Sequence, residues 1–281
     1  MRANHSKRKV KLILLNLVFL ILCFICLVPI IYAFSVSLNG GNSVMSSNFS
    51  IIPKEFTLDN YKSVLLEQPF LLWLKNSSIL ALFTVIIALT LSIPAAYAFS
   101  RHRFKGRKPI LYILLMLNAF PGILSMFAVY RLLKPLNLIN SYAGLIIIYI
   151  GTMGIFALWN MKGYFDTIPQ EIEEAARIDG ANDFQNIQKI ILPLARPTII
   201  VTAVMILIFV WNEYIFAVTF MTGSNHYTLA AGLYSLQATE YTRNWPIFSA
   251  ASLMTSLPIL IVFFLVQKQM RSGLVAGGVK G

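Results

Sequence analysis

The chain has 281 residues, of which 57% are apolar and 12% charged, and its mean hydropathy is +0.71. Soluble domains carry about 45–50% apolar and about 25% charged residues, and a globule with half that charge exposes too much apolar surface to stay dispersed. An ordinary soluble enzyme, a disordered chain and a disulfide scaffold are excluded, which leaves an all-α, polytopic membrane protein. The excess of 23 Lys+Arg over 11 Asp+Glu would suggest nucleic acid in a soluble protein. Here it fits cations flanking membrane spans, with lipid and no nucleic acid as partner.

A helix crossing about 30 Å of hydrocarbon needs about 20 residues, and for uncharged runs of that length a helix is the form that satisfies the backbone in lipid. Residues 12–38, 76–100, 109–130, 135–161 and 244–266 hold no charge, and 197–220 is apolar apart from Glu213. Six transmembrane helices are predicted, at about 12–34, 76–100, 109–130, 141–161, 197–220 and 246–267. The first has the basic start of a signal peptide (Arg2, Lys7, Arg8, Lys9, Lys11). Its apolar run exceeds the roughly 7–15 residues of such a segment and no A-x-A-like site follows, so it reads as a retained anchor. With the N-terminus inside, the inner segments hold seventeen Lys and Arg and the outer ones six. That bias predicts both termini in the cytoplasm.

Much familiar chemistry is absent. No phosphate-binding glycine loop occurs, and His5, His102 and His226 are scattered. Cys23 and Cys26 lie mid-span without partner ligands and read as small packing residues. Glu213, inside Trp211-Asn212-Glu213-Tyr214, is the ionisable group within a span. Three readings stand: an outer-interface residue beside an aromatic belt, part of a substrate path, or a proton relay.

The inner loop 162–196 carries the strongest signal. Pro169 suits the start of a helix; Glu171, Glu173 and Glu174 favour its positive end; Glu173 and Arg177 are spaced to pair; and Gly180 supplies a left-handed stop. A second helical segment is expected from about Asn182 to Leu192, ended by Pro193. The small Ala175 and Ala176 admit close approach by another surface. On these grounds alone the loop is either a solvated helix hairpin or a docking element.

The string Glu174-Ala175-Ala176, three residues, Gly180, nine residues, Ile190, one residue, Leu192-Pro193 resembles the E-A-A-x3-G-x9-I-x-L-P signature of ABC importer permeases at all its fixed positions. The longer form 174–181 and the patch Trp211-Asn212-Glu213-Tyr214 look like the carbohydrate branch. The tail 273–281 is similar to that of maltose/maltodextrin permeases in their six-span subunit. The resemblance implies a type I ABC importer permease fold. It divides the chain into an N-tail, first span and outer loop (1–70), a permease core (71–267) and a cytoplasmic C-tail (268–281).

It further implies a multi-pass, non-catalytic subunit of a bacterial-type cytoplasmic membrane that imports a sugar or oligosaccharide. Its partners are a second permease subunit, two ABC ATPase subunits and an extracytoplasmic solute-binding protein. This chain holds no cofactor; ATP and Mg are bound by the ATPase. The helix at 169–180 is the coupling element, with Glu174, Ala175, Ala176, Asp179, Gly180, Ile190, Leu192 and Pro193 as its residues. Trp211, Asn212, Glu213 and Tyr214 line the path, although in the maltose type the other permease subunit makes most sugar contacts. Asn225, His226 and Tyr227 meet the binding protein or form an ordinary surface loop. The tail 273–281 reaches the ATPase interface or frays. The alternatives are a permease for an amino acid, phosphate or polyamine, and an ion-coupled secondary transporter using Glu213.

Overall fold

The computed structural model describes residues 2–40, 52–53, 55–237 and 244–278. Among them the regular structure is helical, with one isolated β-bridge between Asn39 and Phe56. In chain order the helices are α1 (Arg2–Ser37), α2 (Asp59–Leu66), α3 (Phe70–Arg101), α4 (Arg107–Ala119), α5 (Gly122–Leu133), α6 (Tyr142–Phe165), α7 (Gln170–Ile178), α8 (Asp183–Asn186), α9 (Leu192–Asn212), α10 (Ile215–Phe220), α11 (Leu229–Ser235) and α12 (Trp245–Gly278).

Among the described residues, five segments are long and apolar enough to cross a membrane: Lys11–Ser37, Phe70–Arg101, Tyr142–Phe165, Asp183–Asn212 and Trp245–Gln269. The sixth expected span is broken. Arg107–Ala119 and Gly122–Leu136 meet at 101°, because Pro121 lacks an N–H and holds Phe120 extended at φ −73°, ψ 130°.

Two other expectations are corrected. Pro193 does not end a helix: a π turn at Ile187–Ile191 widens the ladder just before it, Leu192 N–H reaches back to Ile187 O, and α9 continues to Asn212. A proline ring crowds the carbonyl four residues earlier, and the wide turn relieves that clash. Nor does the span run unbroken to residue 220. It stops at Glu213, which is extended (φ −72°, ψ 118°), and α10 starts afresh.

The chain divides into two compact units, Met1–Phe70 with Ser235–Ser256, and Leu71–Tyr234 with Leu257–Gly281. In the first, α1 exposes apolar side chains from Leu12 to Phe34, as a helix facing lipid or another chain does. Cys23 and Cys26 are exposed on it and are not packed within this chain. The end of α1 is tied to α2: Asn60 Nδ2 donates to Ser37 O (2.9 Å), the last carbonyl of the helix, and to Asn39 O (3.0 Å) just beyond it.

In the second unit α6 and α9 cross closely, tied by Asn160 Nδ2 donating to Thr202 Oγ1 at 2.6 Å. Lipid is as apolar as any side chain, so packing of small residues carries such crossings, and Ala88, Ala96, Ala157 and Ala195 are fully buried. One cluster gathers Ala96 and Tyr97 of α3, Met161 and Phe165 of α6, Ile168, Ile191 and Ala195. It forms the floor on which α7 rests.

Candidate functional site

α7 follows Pro169 at φ −57° and has Glu171 and Glu173 in its first turn. It ends as the sequence predicts: Gly180 adopts φ +87°, Ala181 N–H donates to Ala176 O (2.9 Å) and Gly180 N–H to Arg177 O (3.0 Å). These are the two crossed bonds of a Schellman stop. Asn182 and Gln185 then cap α8 reciprocally. The turn between α7 and α8 is thus closed on both sides by local hydrogen bonds.

The expected pairing of Glu173 with Arg177 is not made. Glu173 is 2% exposed and turns onto α3, where Arg101 Nε donates to its Oε1 at 2.6 Å and the Tyr97 hydroxyl to its Oε2 at 2.9 Å. Arg101 Nη2 also donates to Ile168 O (3.0 Å). Beside it, Ser100 Oγ donates to Asp166 Oδ1 (2.6 Å), and Lys162 Nζ to Asp166 Oδ2 (2.6 Å). Arg177 instead meets Asp183 (3.0 Å), and that hydrogen bond raises its guanidinium above the usual range. α7 is thereby bolted to the end of α3 by a buried, fully hydrogen-bonded ion pair, which holds geometry because breaking it strands a charge.

With Glu173 inward, the opposite face of α7 is free. Glu174, Ala175, Asp179 and Gly180 are exposed, Ala176 is half-buried, and Ile178 is 87% exposed. Ile190 and Leu192 are half-buried beside the fully buried Ile191, and Pro193 is exposed. The first half of the motif therefore presents a surface, while the second half flanks Ile191, the residue of this segment that enters the floor. Arg101, Tyr97, Ser100 and Asp166 escape sequence reasoning. The available hint is an arginine just past the second uncharged run, on the same expected side of the membrane as the acid-rich loop 162–196.

At the other end of α3, Trp73 Nε1 donates to Ser224 O (2.8 Å), and Asn76 Nδ2 to Asn225 O (3.0 Å) and Tyr227 O (2.9 Å). Ser77 Oγ accepts from Leu229 N–H (2.8 Å). The backbone of 224–229 is held at four points, while the side chains of Asn225 and His226 are exposed and Tyr227 is half-buried. Gly232 packs so tightly that a Cβ there would lie 2.2 Å from the Trp73 ring.

Between these ends, the broken span, α6, α9 and α10 border a cleft of about 810 Å³ whose polar lining includes Asn118, Thr152, Asn212, Glu213 and Tyr214. Glu213 is anchored: it accepts from Tyr149 OH (2.7 Å) and from the backbone N–H groups of Phe216 (2.8 Å) and Ala217 (3.3 Å). Tyr214 stacks on Tyr234, with ring centroids 5.4 Å apart at 28°. Trp211 is buried and does not line the cleft.

Residues 88–272 match the family described as binding-protein-dependent transport system inner membrane component. The chain is 35% identical over 278 residues, 98% of each chain, to the galactooligosaccharides transport system permease protein GanQ of Bacillus subtilis (strain 168). It is 35% identical over 296 residues, again 98% of each, to the maltose/maltodextrin transport system permease protein MalG of Escherichia coli (strain K12). Its fold superposes with a TM-score of 0.78 on a chain from a bacterial ABC transporter that imports the acidic polysaccharide alginate, at 27% identity over 92% of this chain and 96% of that one.

Proposed function

The chain belongs to the binding-protein-dependent transport inner membrane components, and we propose that it is the permease subunit of an ATP-driven importer for a sugar or oligosaccharide of the maltodextrin kind. Its relatives transport such solutes. We place both termini in the cytoplasm, on the seventeen inner against six outer cations. We pair the chain with a second permease subunit, two ATPase subunits that bind ATP and Mg, and an extracytoplasmic binding protein.

The observation that carries this reading is the free face of α7. Glu174, Ala175 and Ile178 lie three and four residues apart on one side, where a second surface can seat, while Glu173 bolts the other side to α3. A push on that face by the closing ATPase moves α7 and the end of α3 together. The spans then rock between inward-facing and outward-facing states, biased by ATP below and by the loaded binding protein above. Asn225, His226 and Tyr227, on a loop whose backbone is held in advance, are the contacts for the binding protein. Asn212 and the Tyr214–Tyr234 stack supply the polar and aromatic surfaces on which a sugar ring packs. Glu213 is spent on Tyr149 and the start of α10, which supports a positioning role over a proton relay.

Extraction of the tagged chain in mild detergent should bring an ABC ATPase and a second permease with it. Recovery of this chain alone or with copies of itself rejects the reading. Gly180→Asp, strained at φ +87°, is expected to leave the complex assembled but uncouple uptake from ATP hydrolysis, read as sugar uptake against ATPase activity.

A further inference from the structure

The link from α3 to α4 reads Arg101-His102-Arg103-Phe104-Lys105-Gly106-Arg107-Lys108, five cations and no acid in eight residues. Two of the five are engaged: Arg101 by Glu173 (2.6 Å), and Arg107, whose Nη2 reaches Ser100 O at 3.5 Å. Arg103, Lys105 and Lys108 are exposed, and none of them has an ion pair among the described residues. Only residues 102–106 separate the two helices. At roughly 3.5 Å per residue so short a link stays close to the headgroup layer, which adds about 5–8 Å on each side of the hydrocarbon.

Within the link the chain turns sharply at Gly106, φ +90°, so that residues 103–109 border one shallow cup of about 720 Å³. Phe104 leans on Phe99 with centroids 5.3 Å apart and remains partly exposed. Below it α4 continues with exposed Tyr112, Ile113 and Met116. A cationic cup thus opens at the head of an apolar, uncovered helix face. Sorting of cations to one side of the membrane needs only their number. It does not require three unpaired cations around one cup, above a face suited to acyl chains.

We propose that this cup binds the phosphate of an anionic phospholipid through Arg103, Lys105 and Lys108, with the acyl chains lying along Tyr112, Ile113 and Met116. Free inorganic phosphate shares the headgroup chemistry but gains nothing from the apolar face. An acidic protein surface gains nothing from it either.

The test uses the complete complex in nanodiscs of phosphatidylcholine with phosphatidylglycerol, followed by native mass spectrometry of the lipids that remain bound. Phosphatidylglycerol is expected to be retained over phosphatidylcholine, and millimolar-scale inorganic phosphate is expected not to displace it. The triple variant Arg103→Gln, Lys105→Gln, Lys108→Gln keeps Arg101 and Arg107. It is expected to bind phosphatidylglycerol roughly a hundredfold more weakly, since each of the three cations near an anionic surface contributes about fivefold in affinity. Equal retention of the two lipids by the wild type overturns the proposal without any variant. So does unchanged retention by the triple variant, or release by phosphate. Loss of the ATPase from the triple variant with lipid retention unchanged assigns the loop to a protein partner instead.

Discussion

The two ends of α3 hold their neighbours by different means. At one end Arg101 and Tyr97 grip a buried carboxylate of α7. At the other, Trp73, Asn76 and Ser77 hold backbone groups of the 224–229 segment through neutral hydrogen bonds. The charged joint is costly to open, because separating the ions leaves each buried without a counter-charge, so it behaves as one body under load. The neutral clamp shapes a loop through its backbone while leaving the Asn225 and His226 side chains exposed. A push can pass through the first; the second can only present a surface.

Loss of the charged joint gives the largest expected effect. Arg101→Met leaves the Glu173 carboxylate buried and unpaired, at about 3–5 kcal/mol. Thermal unfolding of the extracted complex reads the loss, and adding Glu173→Gln should recover a large part of it. A cost under about 1 kcal/mol in the single variant would erase the contrast with the other end. Next comes Gly232→Ala, whose new Cβ would meet the Trp73 ring at 2.2 Å. Overpacking there is expected to cost about 1–3 kcal/mol and to lower the same melting temperature.

Asn76→Ala unpairs the carbonyls of Asn225 and Tyr227 and the Tyr142 hydroxyl. About 1–3 kcal/mol is expected, confined to this end, with faster hydrogen exchange across 224–229 and unchanged exchange in α7. The smallest stability effect belongs to the double variant Asn225→Ala, His226→Ala, within about 0.5 kcal/mol because both side chains are exposed. Its signature is a weaker response to the loaded binding protein, read as a raised half-saturation of uptake. Unaltered uptake would make this an ordinary surface loop.

The spans were legible because uncharged runs of about 20 residues have one solution in lipid. The stop at Gly180 was legible because it rests on neighbours in sequence. The break at Phe120–Pro121 sits inside an unbroken apolar run, where composition is silent and a proline is tolerated in many membrane helices. Glu173 shows the limit most clearly. Its partner in sequence is Arg177, four residues on, but its partner in space is Arg101, 72 residues earlier. Spacing along one helix registers only the first. For the same reason Glu213 reads as a solitary acid in a span, although its hydrogen bonds to Tyr149 and to the start of α10 make it the anchor of a helix junction.

The π turn at Ile187–Ile191 has a bearing on how the chain tolerates change. A wide turn of this kind holds one residue more than an α-helical turn and absorbs it locally. The faces of the helices on either side keep their azimuth, and the motif positions Ile190, Leu192 and Pro193 straddle the surplus residue. Deleting a single residue here should straighten the ladder without rotating the buried side of α9 away from α6. It would also return the Pro193 ring to the carbonyl four residues earlier, so the regular ladder would carry the strain that the wide turn now relieves. The turn thus serves as slack between the α7–α8 hairpin and a span whose buried side packs on α6.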